Sequence, residues 1–488
     1  MKKYLHLILM IFLTVCLVSC VDEVDEDSPT MDNIINIYAI NDFHGAIFEN
    51  TSNGEIGISK LGNYLINEKQ KHPENTVIIS AGDMFQGTAV SSLTRGRIVV
   101  DLMNKIGFDA MVVGNHEFDF GVSEIIRYVD GDEENGEMHF PLLAANIYHK
   151  PSGNYVDWAK PYTIIERNGI KIGILGLIGK GLTSSILGSI SKDYEFTDEL
   201  EMIKKYVPIL RKDEGANIVI VVSHSDTSLI NEEVKNLTGY EYVDAMINGH
   251  THQYYVYEET RGDYPPLVVI QSGSNGKYLG QISLTVDLNY KYVTDATVGF
   301  VNKNKLNTPS PELEEIIASY QEYIDLENEY FGKSGTYVNK TMCLKYASNV
   351  LKNYLDSDIG IINSGGIRKE AFPINANEDI TYGKIFKMIP FENKVITLEL
   401  SGKYLKRLID ISELEFSDSL DLKNFKVNGK PIEDFEYYKI SVIDYVYYRY
   451  EYIFEYGKKI NFHEVIFRDL LVAAVKANIE QYGKWNLK

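Results

Sequence analysis

From Ile34 onward, short apolar β-branched runs alternate with stretches whose apolar residues recur at helical spacing. The runs are Ile34–Ile40, Thr76–Ile79, Ala110–Val113, Ile170–Leu177, Ile218–Val222, Val243–Ile247 and Leu267–Ile270, each followed by polar residues and glycine. Helical patterns fall at Ser59–Glu68, Leu93–Ile106 and Leu200–Lys212. Strands alternating with helices predict a layered α/β domain reaching about residue 305. Asn302–Pro311 is polar with two prolines and reads as a linker. Glu312–Tyr330 predicts an acidic helix that bridges two domains or opens the second one. A second mixed unit begins near Gly335, with a helix over Leu344–Leu355 and a strand over Ile359–Ile362. The C-terminal end is dense in tyrosine, and Tyr447, Tyr448 and Tyr450 are expected to pack within a strand. No repeat of 20–50 residues is visible.

The N-terminus has a different texture. Met1-Lys2-Lys3 precedes an apolar run, Leu5–Val18, shorter than the roughly 20 residues a membrane-spanning helix needs. It fits a secretory signal peptide over residues 1–19. The run ends in Leu17-Val18-Ser19-Cys20, which resembles the bacterial lipobox. That resemblance implies lipidation of Cys20 and anchoring outside the cytoplasm, on the bacterial outer membrane or cell surface. Residues 20–32 form a tether, and its acidic part, Val21–Ser28, reads as a solvated spacer and resembles surface-export signals of some lipoproteins. Of three cysteines, only Cys343 lies beyond this leader and Cys20, so no intrachain disulfide is expected.

Composition narrows the function. With 44% hydrophobic and 24% charged residues, the chain is neither fibrous, nor mostly disordered, nor a polytopic membrane protein. Its 488 residues suggest two to four domains with ample core. Lys and Arg number 48 against 69 Asp and Glu, a net charge of −21. That balance disfavours a nucleic-acid polymer as partner. A small anionic substrate remains compatible if metal ions neutralise it locally.

Candidate chemistry gathers where strands end. Asp42 and His44 follow the first run, Asp83 the second, and Asn115 and His116 the third. His224 follows Ile218–Val222, and His250 and His252 follow Val243–Ile247. Side chains at the carboxyl ends of strands in an open α/β sheet converge on one edge, where ligands bind. Carboxylate, imidazole and amide oxygen together suit Zn, Mn, Fe or Co, and a set of this size suits two divalent ions. Asp83, alone in its glycine-bounded loop, is the natural bridge between ions roughly 3.5–4 Å apart.

Asn-Asp-Phe-His-Gly, Gly-Asp, Gly-Asn-His-Glu-Phe-Asp, a lone His after a strand, and Gly-His-Thr-His, in this order, resemble the calcineurin-like metallophosphoesterases, and within them the bacterial 5′-nucleotidase family. That family also includes cyclic-nucleotide phosphodiesterases and UDP-sugar hydrolases. The resemblance implies an α/β (α+β) fold: a four-layer β-sandwich flanked by helices over 33–305, a linker and bridging helix over 306–334, and a smaller α/β substrate-binding domain over 335–488. It implies one ion on Asp42, His44, Asp83 and His252, and another on Asp83, Asn115, His224 and His250. His116 would stabilise or protonate the transition state, with Asp119 orienting its ring.

In the second domain, Asn363-Ser-Gly-Gly-Ile-Arg368 resembles the family's Asn-Gly-Gly-Gly-Ile-Arg, and Pro390-Phe391-Glu-Asn its Pro-Phe-Gly-Asn. Asn363, Gly365, Gly366 and Arg368 would meet the substrate, Phe391 would stack on a nucleobase, and Tyr445 would form the other face. Two departures stand out. Cys343 lies about where an upstream Arg is usual, and the Gly-rich C-terminal turn is replaced by Val446-Tyr-Tyr-Arg-Tyr-Glu451, with Glu451 a candidate contact to ribose or base. The expectation is a monomeric, metal-dependent phosphohydrolase of the 5′-nucleotidase kind. A 2′,3′-cyclic phosphodiesterase/3′-nucleotidase, a UDP-sugar hydrolase and a ligand-binding surface lipoprotein with little turnover are the alternatives.

Overall fold

The computed structural model describes residues 33–225 and 228–487. The signal peptide, Cys20 and the acidic tether lie outside the described residues. Two six-stranded sheets form the first unit. Its strands are β1 (Ile34–Ile40), β2 (Thr76–Ser80), β3 (Ala110–Val112), β4 (Leu142–Leu143), β5 (Tyr162–Arg167), β6 (Ile170–Ile178), β7 (Ile218–His224), β8 (Ala245–Asn248), β9 (Tyr254–Arg261), β10 (Tyr264–Ser272), β11 (Gly280–Asp287) and β12 (Tyr292–Phe300). One sheet runs β12-β11-β1-β2-β3-β4 and the other β9-β10-β8-β7-β6-β5. The central pairs are parallel, and the outer strands β5, β9, β11 and β12 pair antiparallel.

The two sheets pack face to face over Ile35, Ile37, Val77, Ile79, Ile172, Ile220, Ile247 and Ile270, all essentially without solvent contact. Helices cover both outer faces, Ile58–Lys71 and Arg97–Ile106 on one and Glu199–Lys212 on the other. Central strands are therefore buried on both sides, which explains why they read as unbroken apolar runs rather than alternating ones. The result is the four-layer α/β sandwich that the resemblance implied.

Local signals set the helix ends. Asp198 caps Glu199–Lys212 by accepting from the Glu201 N–H, and Ser310 caps Pro311–Ala318 with proline at its first turn. Two expectations fail in instructive ways. The helix expected over Leu93–Ile106 splits into Ala89–Leu93 and Arg97–Ile106, because Arg95 and Gly96 take left-handed φ of 57° and 90°. The bridging helix is two helices, Pro311–Ala318 and Gln321–Glu327, and their Leu313, Ile317 and Ile324 pack into the first unit's core.

The second unit has its own core around a five-stranded sheet. Its strands are β13 (Ile359–Asn363), β14 (Lys394–Ser401), β15 (Leu414–Phe416), β16 (Tyr437–Ile443) and β17 (Lys458–Ile466), in the order β15-β13-β16-β14-β17. The tyrosine-dense end is not a strand there: Tyr447 and Tyr448 lie in a helix, Asp444–Arg449, and Tyr450 follows it. Cys343 is fully buried in this core, its Sγ 3.8 Å from Met388 Sδ, and it is unpaired. No helix among the described residues is long and apolar enough to cross a membrane.

Helix Lys340–Tyr354, capped by Asn339, lies directly on β13 and fixes the strip that follows that strand. Their approach requires Gly360, where an added Cβ would sit 2.0 Å from the Ser348 carbonyl oxygen. Gly360→Ala is expected to lower stability by about 1–3 kcal/mol through overpacking. A fall in the urea midpoint of the second unit's transition checks this, and an unchanged midpoint contradicts it.

Candidate metal centre and active site

Every metal-ligand candidate leaves the carboxyl end of a parallel strand: Asp42 and His44 after β1, Asp83 after β2, Asn115 after β3, His224 at the end of β7, and His250 and His252 after β8. Both sheets thus deliver residues to one edge. Five of these residues have left-handed backbones, with φ of 48° at Asp42, 52° at His44, 55° at Asp83, 79° at His250 and 57° at His252. Outside glycine this conformation costs on the order of 1–2 kcal/mol per residue. Strain repeated at one edge of the fold marks a functional constraint.

Two clusters result, Asp42–His44–His252 and Asp83–His224–His250. Their hydrogen bonding shows what they can hold. The His44 Nδ1–H donates to the Gln86 carbonyl (2.9 Å), and the His224 Nδ1–H to that of Ala81 (2.7 Å). Each Nε2 therefore turns inward. His44 Nε2 lies 2.9 Å from His252 Nε2, and His224 Nε2 lies 3.2 Å from both Asn115 Oδ1 and Asp83 Oδ2. His250 Nδ1 is 2.9 Å from the same Asn115 oxygen. Asp83 Oδ2 is buried with no hydrogen-bond donor among the described residues.

Lone pairs thus face lone pairs at a largely buried site that opens on one side to the inter-unit cavities, an arrangement that divalent cations satisfy. Burial opposes a charge on His224, yet Asp83 and Asp42 outweigh it and hold its pKa up at about 9. The cluster demands positive charge, and a proton on His224 would answer that demand at one place only. The donor set fits ions of the borderline class at two candidate sites.

Glu117 is a residue that the sequence reading missed. Its buried carboxylate accepts from the backbone N–H of Asp83 (2.9 Å), Met84 (2.8 Å) and Gly114 (2.7 Å). It therefore ties the Asp83 loop to the Asn115 loop. Burial, and then the neighbouring Asp83, push its pKa up to about 7. Its place directly after His116 was the available signal. Gln86 was also missed, and nothing in the sequence singles it out. The His116 backbone N–H donates to Asp83 Oδ1 (2.8 Å), and its ring Nδ1–H donates to Asp119 Oδ2 (2.7 Å). That leaves His116 Nε2 facing a cavity of about 260 Å³ between the two units.

Arg368 closes the cavity from the second unit. Its Nη2 donates to His116 Nε2 (2.6 Å) and to Gln86 Oε1 (3.3 Å), and its guanidinium lies 5.0 Å over the Phe391 ring. Asn363, Gly365, Gly366, Phe391 and Tyr445 also line the cavity, so the structure brings all the expected substrate residues together. The buried Asn363 Oδ1 has no partner among the described residues and can accept from a ligand hydroxyl. The Tyr445 hydroxyl donates to the Ser184 carbonyl across the interface (3.0 Å). Glu451 is exposed and does not line the cavity, because the chain after Tyr445 is helical and carries it away. Glu370, two residues after Arg368, reaches His252. Burial alone would raise its pKa, but contact with His252 holds it down at about 2.

Comparison with known proteins gives the same two units. Residues 35–254 match the family described as calcineurin-like phosphoesterase, and residues 324–423 match the 5′-nucleotidase C-terminal domain. Endonuclease YhcR of Bacillus subtilis is 27% identical over 409 residues, 77% of this chain, and the match spans only 32% of that longer protein. A probable 5′-nucleotidase of Treponema pallidum is 26% identical over 472 residues, covering 79% of this chain and 76% of the relative. The crystal structure of a 5′-nucleotidase precursor from Thermus thermophilus shares the fold with a TM-score of 0.73 at 18% identity, covering 91% and 96% of the two chains.

Gly114 offers a steric test of the Asp83 position. A Cβ there would lie 2.2 Å from Asp83 Oδ1, displacing the carboxylate. Gly114→Ala is expected to keep an unchanged circular dichroism spectrum but weaken metal binding about 10–100-fold, as loss of a supporting contact does. Equilibrium titration with Mn checks it, and wild-type affinity contradicts it.

Proposed function

We propose that this chain, a calcineurin-like phosphoesterase joined to a 5′-nucleotidase C-terminal domain, releases inorganic phosphate from nucleotides outside the cytoplasm. As a member of that class it is a metal-dependent phosphoric ester hydrolase. The observation that carries the substrate reading is the cavity in which His250 of one metal-ligand cluster, with Asn115 and His116, faces Arg368, Asn363 and Phe391 of the second unit, while His44 and His252 of the other cluster line a smaller neighbouring cavity that Arg368 also borders.

Asp42, His44, Asp83 and His252 would hold one ion, and Asp83, Asn115, His224 and His250 the other. Two divalent ions supply Lewis acidity toward a phosphoryl group and lower the pKa of bound water to about 7. The remaining work belongs to the chain. Asp119 accepts the His116 Nδ1–H and so orients Nε2 into the cavity, where a proton carried on Nε2 would pass to the ester oxygen that gains charge as its bond breaks. Arg368 grips the phosphate with a planar, permanently charged fork. Phe391 and Tyr445 hold the base, and Asn363 accepts from the sugar. The N-terminal leader, with lipidation at Cys20, would hold the enzyme at the membrane surface.

A second reading has its own support. Cys343 sits in the core, so nothing at its position replaces the upstream Arg, and Arg368 is the lone guanidinium among the cavity's lining residues. A phosphate monoester carries about −1.5 to −2 at pH 7. A cyclic phosphodiester has a single ionisable oxygen, carries less charge and needs fewer cations, which favours a 2′,3′-cyclic nucleotide.

Product analysis with Mn or Zn supplied separates the readings: AMP hydrolysis yields adenosine and phosphate, 2′,3′-cyclic AMP a ring-opened nucleoside monophosphate, and UDP-glucose UMP with glucose 1-phosphate. AMP is expected to be the best substrate. His116→Ala is expected to lower kcat about 10²–10⁴-fold, the usual worth of an acid–base group. Asp83→Asn is expected to lower both kcat and bound metal. Full activity in both variants would overturn the hydrolase mechanism. Silence toward AMP beside activity on the cyclic ester would favour the second reading.

A further inference from the structure

An imidazole that binds a metal through one ring nitrogen carries its proton on the other, and that N–H needs an acceptor which fixes the ring. His44 and His224 find theirs within their own domain, at the Gln86 and Ala81 carbonyls. His252 does not. Its Nε2 faces the cluster, 2.9 Å from His44 Nε2 and 3.6 Å from Asp42 Oδ1. Its Nδ1 faces outward, with Glu370 Oε1 of the second domain 3.7 Å away. Among the described residues no main-chain carbonyl is found at that nitrogen. Among the described residues the cation paired with Glu370 besides His252 is Lys369, whose Nζ at 3.9 Å is 76% exposed and so cannot hold the carboxylate away, while Arg368 and Lys340 act on it from farther off.

We propose that Glu370 is a positioning residue for His252, so that the second domain completes one of the two metal sites of the first. The inference rests on reading Asp42, His44 and His252 as ligands. Arg368 and Glu370 belong to one short strip behind β13, anchored where the Arg368 N–H donates to the Met388 carbonyl (2.9 Å). One strip therefore meets both ends of the centre, His116 through Arg368 and His252 through Glu370. The coupling is reciprocal: a metal that holds His252 Nε2 inward keeps Nδ1–H pointed at Glu370, so metal binding favours the docked second domain by the factor that docking favours metal. The Asp83–His224–His250 cluster has no such contact, so the two sites should differ in their dependence on the second domain.

Calorimetric titration of the full chain with Mn tests this without substrate. Glu370→Ala is expected to weaken one of two metal equivalents about 10–100-fold and leave the other unchanged. Glu370→Gln, whose amide oxygen can take the place of the carboxylate oxygen facing Nδ1–H, is expected to stay within a few-fold of wild type. Wild-type affinity of both equivalents in Glu370→Ala would overturn the proposal. His252→Ala separates its failure from that of the ligand reading. If His252→Ala loses one equivalent while Glu370→Ala loses none, only the role of Glu370 falls. If neither variant changes either equivalent, the ligand assignment falls with it.

Discussion

Nitrogen and oxygen lone pairs from five strand ends meet at a largely buried site, with too few donors to satisfy them. Buried acceptors left unpaired cost roughly 1–3 kcal/mol each, and more when charged. The sandwich around them serves to hold that arrangement. Parallel strands in two facing sheets bring the loops to one edge. Carbonyls of Gln86 and Ala81 turn two imidazoles so that their acceptor nitrogens point inward. The Glu117 carboxylate, with three backbone N–H groups around it, keeps the Asp83 and Asn115 loops together. A cation is the one partner that relieves all these groups together.

The second domain reaches the same edge through side chains of opposite charge. Arg368 brings a cation to His116, while Glu370 brings an anion to His252. Further contacts hold the two bodies in register: Arg95 with Glu392 (2.9 Å) and Lys387 with Glu55 (3.1 Å). Apart from the buried Glu55 these side chains stay partly exposed, and surface pairs of this kind are worth about 0–1 kcal/mol each. The interface therefore reads as a seat that can be left and regained, with its most specific contacts at the chemistry itself.

Much of this was legible in the sequence, and the reasons differ by residue. Strand runs such as Ile34–Ile40 coincide with the observed strand because burial on both faces leaves an uninterrupted apolar signal. The loop residues Asp42, His44, Asp83, Asn115, His224, His250 and His252 were found because each follows such a run. Glu117 escaped because its role lies in accepting backbone N–H groups from a loop 34 residues away, a pairing no local pattern encodes. Glu370 escaped because its partner His252 belongs to another domain. Tyr447 and Tyr448 misled because aromatic density favours strands, whereas both lie on a helix from which Tyr447 packs on Phe454 and Phe462. Arg95 broke an apolar helical period by entering a left-handed conformation that favours glycine and asparagine.

The five left-handed ligand positions carry a consequence for how this chain can change over evolutionary time. At Asp42, His44, Asp83, His250 and His252, glycine would relax the backbone and erase the donor atom in the same step. Nearly every other residue would keep the strain and lose the donor as well. Drift toward greater stability and drift toward a new ligand are thus both barred at these sites, whereas the cavity wall contributed by the second domain bears no such double constraint. Divergence among descendants of this architecture should therefore accumulate in what they recognise, around a hydrolytic edge that stays fixed.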